Sequence, residues 1–487
     1  MTALPGQAPS DGIRGDTGAP GGTAAGGKKA GTGKKAGTGK DGRPVSTTNA
    51  CRMCMPLGAC LAFAGVEGTV PILHGGQGCA TYIRRYLISH FNEPLDIGSS
   101  SFDESATVFG GEADLAQGIH NLVTAYGPQV VGVATTCLAE TIGEDVPQIL
   151  TRIRRGDAHL PEIIGVSTPS YAGTHADGYQ AAVTAVVEAL AGDEPGDGVT
   201  LLPGIVSPAD LRHLHELAGA FGVPATVVPD FSDSLDGPIA AEHPRLRPGG
   251  TPLHGLARCG GNIAAVTLGG LAAPGVANAG ELLHERFGIE HHRLPLPIGI
   301  RLTDDLVHVL TLAFGHGPAP WVEAERGRLV DAYVDGHKYL SGRRAVVYGD
   351  EDLVVGIAAF LSEIGIRPVA CASGGRSGNL RSALRTAAPE LADLEDLQVV
   401  EDADFERIDA LTRETAPDLL VGHSKGYPTA RALGIPLIRI GLPIHDRLGG
   451  QRLQHLGYRG AQRLFDQIVN TLIEREQSSS PVGYAYM

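Results

Sequence analysis

Long apolar runs, cysteines and basic residues are all scarce in this 487-residue chain. No stretch of about 18 apolar residues could form a membrane-spanning helix, and no apolar segment near residue 1 has the form of a secretory signal. Seven unevenly spaced cysteines are too few for a disulfide scaffold. With 39 basic against 54 acidic residues, the net charge of −15 argues against nucleic acid as the main partner, because phosphate binding depends on clustered lysine and arginine. We therefore predict a cytoplasmic protein with neither a membrane nor a nucleic-acid partner.

Residues 1–48 differ in composition from the rest of the chain. They hold 13 of the 68 glycines, seven basic and three acidic residues, and the repeat Gly-Lys-Lys-Ala-Gly-Thr at residues 27–32 and 33–38. Such a segment buries too little apolar surface to offset its ordering entropy, so we predict a disordered tail. Its Gly-Thr-Gly-Lys stretches are similar to a phosphate-binding loop, but no flanking strand and helix are predicted. The remaining residues, 32 basic and 51 acidic, carry a charge near −19.

From residue 50 onward, short apolar runs alternate with helical patterns, which predicts doubly wound α/β domains with parallel sheets. Buried strands are predicted at residues 130–134, 163–166, 225–228, 263–268, 345–348, 368–372, 419–421 and 437–440. Helices are predicted at residues 114–126, 178–190, 304–314, 351–364 and 459–475. In such folds, ligands bind beyond the carboxyl ends of the strands.

The length implies about three domains. Breaks in the pattern near residues 192–198 and 295–300 suggest where they divide. We predict a first α/β domain at 49–195, a second at 196–300, and a third with a C-terminal helix at 301–487.

Five of the seven cysteines lie in the range from Cys51 to Cys137, and three of them occupy predicted turns between strands and helices. Cys137 follows the strand predicted at 130–134, and Cys79 lies in a Gly-rich turn after the apolar run 70–73. Cys54 directly precedes the entrance to a predicted helix. Structural zinc favours two closely spaced cysteine pairs, and the sequence contains a single CxxC. Iron–sulfur clusters are instead held by thiolates from dispersed loops.

Spacing alone leaves two interpretations of Cys54, Cys79 and Cys137 open, namely metal ligands or buried core residues. Cys51 is an extra ligand, a redox partner of Cys54, or neither. The remaining cysteines have no ligand-like neighbours, and we predict them to be core residues: Cys60, Cys259 and Cys371.

Several motifs together resemble the nitrogenase component 1 superfamily, in order and spacing, from about residue 50 to the C-terminus. The matching segments are residues 54–59, 74–79, 84–94, 108–111, 135–140, 168–171, 325–331, 348–350 and 458–461. The chain is most similar to the β-type subunit. The resemblance implies three Rossmann-like domains and metal clusters at the interface with an α-type partner.

The resemblance also assigns roles to individual residues. Cys54, Cys79 and Cys137 match the β-chain ligands of a P-cluster-type 8Fe-7S cluster, which is shared with three cysteines of the α-type chain. Ser170 matches a serine that can ligate the oxidised cluster, although a turn serine that satisfies backbone donors is an equal alternative. Phe109 matches an aromatic residue where the ATP-dependent iron protein docks, and the alternative is a half-buried strand residue.

In that family the active-site iron–sulfur cofactor lies on the α-type chain. The resemblance therefore implies electron relay by this chain, with no catalytic residue of its own, in an α2β2 heterotetramer. Its histidines at positions 74, 90, 175, 423 and 445 show no second convergent ligand, so we predict structural hydrogen bonding for them.

The resemblance leaves the family member open. The N-type subunit of the cofactor-assembly scaffold lacks counterparts of Cys54 and Cys137, and a 4Fe-4S cluster would then replace the larger one. This chain keeps both cysteines, whereas residues 447–450 are more scaffold-like and Cys51 departs from the usual nitrogenase pattern. We hypothesise a nitrogenase-like methylthio-alkane reductase that cleaves carbon–sulfur bonds. The alternatives are the assembly scaffold and a true dinitrogen-reducing nitrogenase.

Overall fold

The computed structural model describes residues 51–239, 244–392, 394 and 396–482, and the backbone of two short strands before residue 46. The rest of the tail predicted to be disordered lies outside the described residues. No helix in these ranges is both long and apolar enough to cross a membrane.

Strands and helices alternate along the described chain. The strands are β1 (Gly37–Thr38), β2 (Pro44–Val45), β3 (Thr69–His74), β4 (Gly98–Ser99), β5 (Val130–Thr135), β6 (Glu162–Val166), β7 (Val199–Pro203), β8 (Ala225–Val227), β9 (Ala264–Leu268), β10 (Glu290–Leu294), β11 (Arg344–Gly349), β12 (Arg367–Ser373), β13 (Gln398–Val400), β14 (Leu419–Gly422) and β15 (Leu437–Arg439).

The helices cover both the predicted positions and several short connections. They are α1 (Met55–Ala64), α2 (Gln77–Phe91), α3 (Glu104–Phe109), α4 (Glu112–Tyr126), α5 (Cys137–Ile142), α6 (Val146–Gly156), α7 (His175–Leu190), α8 (Pro208–Gly219), α9 (Leu253–Leu256), α10 (Ala279–Phe287), α11 (Gly299–Phe314), α12 (Pro320–Leu340), α13 (Glu351–Glu363), α14 (Leu380–Ala387), α15 (Phe405–Thr415), α16 (Tyr427–Leu433) and α17 (Gly457–Ser479).

Three parallel sheets organise residues 51–482 as far as they are described. The first has the strand order β4-β3-β5-β6, the second β10-β9-β7-β8, and the third β13-β12-β11-β14-β15. The pairings within each are parallel, as the alternation of strands and helices predicts. The α/β fold class is therefore confirmed, while the domain limits near residues 195 and 300 stay a prediction.

Every predicted strand is present, but among residues 51–482 as described the predictions leave out five others: β4, β7, β10 and β13, together with β3, which the sequence shows only as the apolar run 70–73. Strand β10 lies at a sheet edge and reads Glu-His-His-Arg-Leu, so it carries no apolar signal. Strands β4 and β13 are also edge strands, of two and three residues. Strand β7 is fully buried, but it directly follows the Gly-rich break at 192–198 and contains a threonine and a proline.

Helices α1 and α7 pack backbone against backbone. A Cβ atom built on Gly58 would lie 1.7 Å from the carbonyl oxygen of His175, and one on Gly178 would lie 1.9 Å from that of Met55. Neither position can therefore accept a larger side chain without a shift of the helices. This contact holds α1, and with it the segment that begins at Cys54, against the first residues of α7.

Helix α7 in turn contacts all three sheets. It packs beside β6 of the first sheet. The Tyr179 hydroxyl donates to the carbonyl oxygen of Pro203 in the second sheet at 3.3 Å. His175 Nε2 lies 2.8 Å from an Asp350 oxygen, immediately after strand β11 of the third sheet. The α1–α7 pair therefore occupies the centre of the described chain.

We predict that Gly58→Ala lowers the free energy of unfolding by about 1–3 kcal/mol, because the added methyl group overpacks the α1–α7 contact. Gly327→Ala in α12 is the matched control, since a Cβ at that helical position meets no atom within 4 Å. The control should gain about 0.5–1 kcal/mol from helix propensity. Urea unfolding midpoints of both variants test this, and equal midpoints would contradict the packing argument.

Candidate metal centre

The three proposed cluster ligands lie at the N-terminal ends of three helices. Cys54 is the N-cap of α1, Cys79 is the third residue of α2, and Cys137 is the first residue of α5. The structure corrects the prediction for Cys79, which belongs to the first helical turn and not to the Gly-rich turn before it. Helix N-termini carry a partial positive charge, which is a favourable place for an anionic group.

The three thiol groups are close enough to influence one another. The pKa of Cys79 is raised, first by partial burial and then by the negative charges of Cys54 and Cys137. Cys79 and Cys137 are exposed and Cys54 is half-buried, so the group faces outward. Within the described ranges, no three His, Cys, Asp or Glu side chains converge on a single metal ion. The three thiols therefore stand near one another at the surface of the described chain.

Ser170 lies directly beside Cys137. It occupies the turn after β6, and its backbone N–H donates to Cys137 Sγ at 3.3 Å. Thr168 fixes this turn, because its hydroxyl donates to the Thr135 carbonyl oxygen at 2.7 Å and its N–H to the Thr135 hydroxyl at 2.8 Å. The loop after β6 is thus bonded to the end of β5, which leads into Cys137.

The turn before Cys79 depends on glycine. Gly75 has a φ of 154°, and a Cβ atom built there would lie 1.9 Å from the Thr136 hydroxyl oxygen. Thr136 directly precedes Cys137, and its hydroxyl donates to the His74 carbonyl oxygen at 3.1 Å. The segments that carry Cys79 and Cys137 therefore touch through Thr136, which fixes the two helix N-termini relative to each other.

Two exposed tyrosines stand close to the cysteines in space or in sequence. Tyr82 is 50% exposed and lies one turn after Cys79, and Tyr171 is 59% exposed and follows Ser170. The pKa of Tyr82 is raised by partial burial and then by the nearby Cys54 thiolate. Exposed aromatic rings next to exposed thiols are typical of a surface that a partner covers.

Phe109 is the last residue of α3 and its side chain is 86% exposed. The alternative of a half-buried strand residue is therefore wrong, because the position is helical and open to solvent. Gly110 and Gly111 follow it, and Gly110 has the positive φ of 95° that glycine tolerates best.

The predicted core cysteines are indeed buried: Cys60, Cys259 and Cys371. Cys51 is buried as well, in a cluster with the apolar residues of the third sheet, and its Sγ lies 3.5 Å from His423 Nε2. Burial raises the pKa of the Cys51 thiol, which disfavours the thiolate. Of the three interpretations, a structural contact with His423 fits Cys51 best.

One polar pair at this site was not predictable from spacing. His74 Nε2 lies 2.6 Å from a Glu144 carboxylate oxygen, and both side chains are buried. The two residues are 70 positions apart on different strand–helix connections, so no local pattern links them. The His74 prediction of structural hydrogen bonding names the right class of role but not the partner.

Comparison with known proteins decides the family. A profile of nitrogenase component 1 type oxidoreductases matches residues 54–473. The nitrogenase molybdenum-iron protein beta chain of Methanococcus maripaludis strain S2 is 35% identical over 437 residues, which cover 87% of this chain and 93% of the relative. This chain belongs to the nitrogenase component 1 family.

Further similarities define the type of subunit. The nitrogenase vanadium-iron protein beta chain of Trichormus variabilis is 32% identical over 440 residues, which cover 86% of this chain and 92% of the relative. The solved structure of nitrogenase Cp1 at pH 6.5 superposes with a TM-score of 0.87 at 30% identity, covering 91% of this chain and 97% of that one. The chain is thus a β-type subunit of nitrogenase component 1, and so a subunit of an oxidoreductase.

In this β-type chain, His90 anchors the far end of the helix that carries Cys79. Its Nδ1 accepts the backbone N–H of Ile444 at 2.9 Å, in the loop after the third sheet. Burial, and to a lesser extent the neighbouring His445, lower the pKa of His90 to about 3. Because the unfolded chain binds a proton near pH 6.5, this contact stabilises the fold above that pH and loses its effect as the pH falls.

Two buried carboxyl groups shift in the opposite direction, because burial raises the pKa of Glu351 to about 7 and that of Asp352 to about 6. Their effect on stability opposes that of His90 in the acidic range. The contribution of His90 is therefore measurable as a difference between wild type and a variant, not from the wild-type curve alone.

His90→Asn keeps an acceptor for the Ile444 N–H but cannot bind a proton. We predict that, below pH 6.5, the free energy of unfolding of wild type falls by about 1.4 kcal/mol per pH unit more than that of His90→Asn. Urea midpoints at about pH 7 and about pH 5.5 measure this difference. The exposed His120→Asn serves as the control and should follow wild type. Parallel curves for wild type and His90→Asn would contradict the assignment.

Proposed function

We propose that this chain is the electron-relay subunit of a nitrogenase-like two-component reductase. An ATP-dependent iron protein would deliver electrons through a P-cluster-type 8Fe-7S cluster to a cofactor on the α-type partner. The observation that carries the proposal is the grouping of Cys54, Cys79 and Cys137 at three helix N-termini on one outward face.

The donor set fits half of such a cluster. The Cys79 thiol lies close enough to Cys54 and Cys137 for both to affect its pKa, which supports their proposed place together in one multi-iron site. Clusters of this kind supply one-electron storage and transfer, with potentials tuned by hydrogen bonds to sulfur. The N–H of Ser170 supplies one such bond at Cys137, which supports a place for Ser170 beside the cluster.

Pairing with an α-type chain follows from the same geometry. An outward-facing half-site leaves thiolates without their full set of metal bonds, and the exposed Tyr82 and Tyr171 lie next to it. Burial of such aromatic residues at a subunit interface contributes strongly to association. A heterotetramer of two α-type and two β-type chains is the assembly we propose, with Phe109 on the surface that receives the iron protein.

The iron content of the complex tests the ligand assignment. We predict about eight iron atoms per αβ pair at this interface in the wild type. Cys137→Ala should lose or convert that cluster while the chain stays folded, because an exposed thiol adds little to core packing. The buried Cys371→Ala is the control and should keep the wild-type iron content and electron paramagnetic resonance spectrum.

Two outcomes would count against the proposal. A wild-type cluster spectrum in Cys137→Ala would remove Cys137 from the ligand set. A 4Fe-4S spectrum in the wild-type complex would favour the cofactor-assembly scaffold instead.

For the substrate, we propose reduction of methylthio-alkanes at the partner's cofactor, with dinitrogen reduction as the second candidate. The second candidate has its own support, because the relatives described above are nitrogenase beta chains. We predict that the complete system, given dimethyl sulfide, two electrons and two protons, releases methane and methanethiol. Ammonia from dinitrogen without sulfide cleavage would favour the second candidate, and a complex that reduces neither compound would favour the scaffold.

A further inference from the structure

A chain of buried polar contacts connects the Phe109 loop with the turn before Cys79. At one end, a Glu144 oxygen accepts the backbone N–H of Gly111, two residues after Phe109. The other Glu144 oxygen lies 2.6 Å from His74 Nε2. Glu144 therefore joins the two segments through a single carboxylate.

The chain continues on the other side of the imidazole ring. His74 Nδ1 lies 3.1 Å from the Ser100 hydroxyl oxygen, which also accepts the N–H of Gly75 at 2.9 Å. Burial lowers the pKa of His74 although Glu144 stands beside it, so the ring is neutral. A neutral ring with its proton on Nε2 accepts from the Ser100 hydroxyl through Nδ1 and presents Nε2 to the Glu144 carboxylate, although the angle of that second contact departs from hydrogen-bond geometry.

The contacts are sheltered from water. The His74 side chain has no exposed surface and that of Glu144 is 7% exposed. The Phe102 ring stands edge-on to His74 with centroids 4.8 Å apart, and it fills the space in front of Gly111, where a Cβ atom would lie 2.1 Å from it. Phe102 also donates its N–H to the Gly75 carbonyl oxygen at 3.0 Å. These contacts tie the two segments together in the described structure.

We propose that Glu144 and His74 are positioning residues that couple the docking surface at Phe109 to the turn at Gly75, which precedes the helix of Cys79. This inference rests on the proposed function. A displacement of the Phe109 loop moves the Gly111 N–H, then the Glu144 carboxylate and the His74 ring, and so the Gly75 backbone just before α2. Docking of the iron protein thereby shifts the N-terminal end of α2, the helix that carries Cys79.

The test uses the assembled complex and three variants. Glu144→Gln keeps the shape of the side chain but leaves one acceptor oxygen and no charge, so the side chain can no longer accept from both the Gly111 N–H and His74 Nε2. His74→Asn removes the ring that links Glu144 to Ser100. Glu112→Gln is the matched control. Glu112 lines the same surface groove, and its substitution removes the same charge, but Glu112 pairs with the exposed Arg152 and not with His74.

Three readouts separate the possibilities. Iron content and the cluster spectrum report whether the metal site is intact, which tests the proposed function. Rapid-mixing kinetics report electron transfer driven by the iron protein, and the ATP hydrolysed per electron reports the efficiency of coupling. We expect Glu144→Gln and His74→Asn to keep their iron but to transfer electrons about tenfold more slowly, with more ATP hydrolysed per electron. Glu112→Gln should stay within about twofold of wild type in both.

A double-mutant cycle with Phe109→Ala completes the experiment. If the residues act along one path, the slowing by Phe109→Ala and by Glu144→Gln should be less than multiplicative in the double variant. Multiplicative effects, wild-type kinetics in Glu144→Gln, or slowing that follows only a loss of thermal stability would each overturn the coupling. A wild-type complex without the cluster would instead defeat the proposed function.

Discussion

The contact between helices α1 and α7 is the constraint on which the rest of the structure depends. Two glycines, Gly58 and Gly178, allow each helix to touch the other's carbonyl oxygens, so the helix axes have almost no freedom to slide. Helix α7 is fixed at its own start by a capping box between Thr174 and Asp177. Asp177 also accepts the N–H of Ala273 at 2.7 Å, and so joins this helix to the second sheet. One helix thereby relates all three sheets to the segment that starts at Cys54.

The proposed metal centre combines this fixed helix with the carboxyl edge of the first sheet. Strands β3 and β5 are adjacent and parallel, so the chain leaves both at the same edge. Cys79 and Cys137 follow these two strands, and Cys54 reaches the same edge from α1. Three different routes along the chain therefore end at one face, and hydrogen bonds of buried threonine hydroxyls to the backbone help to set the spacing of β3, β5 and the loop after β6. Such rigidity suits electron transfer, where geometry should change little with oxidation state.

Much of this architecture was predictable from the sequence, and the exceptions have physical causes. Buried strands such as β5 and β12 are recognisable in the sequence as apolar runs. The edge strand β10 is partly exposed to solvent and tolerates charged residues, so it has no such signal. The cysteines could be placed after strands by pattern, but their grouping came from family resemblance, since spacing alone left their role open. The His74–Glu144 contact was beyond reach because it joins segments that only the tertiary fold brings together. Cys51 likewise needed the position of His423, 372 residues away.

The outward face of Cys79 and Cys137 also has a consequence for biogenesis. A newly made chain without its partner displays two thiols at helix N-termini, an arrangement that attracts soft ions such as zinc and copper(I) as readily as iron. Aromatic rings beside them add a surface prone to self-association. The interval between synthesis of this subunit and association with its partner is therefore the period in which its exposed thiols and rings are open to unwanted contacts. A chain that covers this face soon after synthesis would remove the exposed thiols and the exposed rings in a single step.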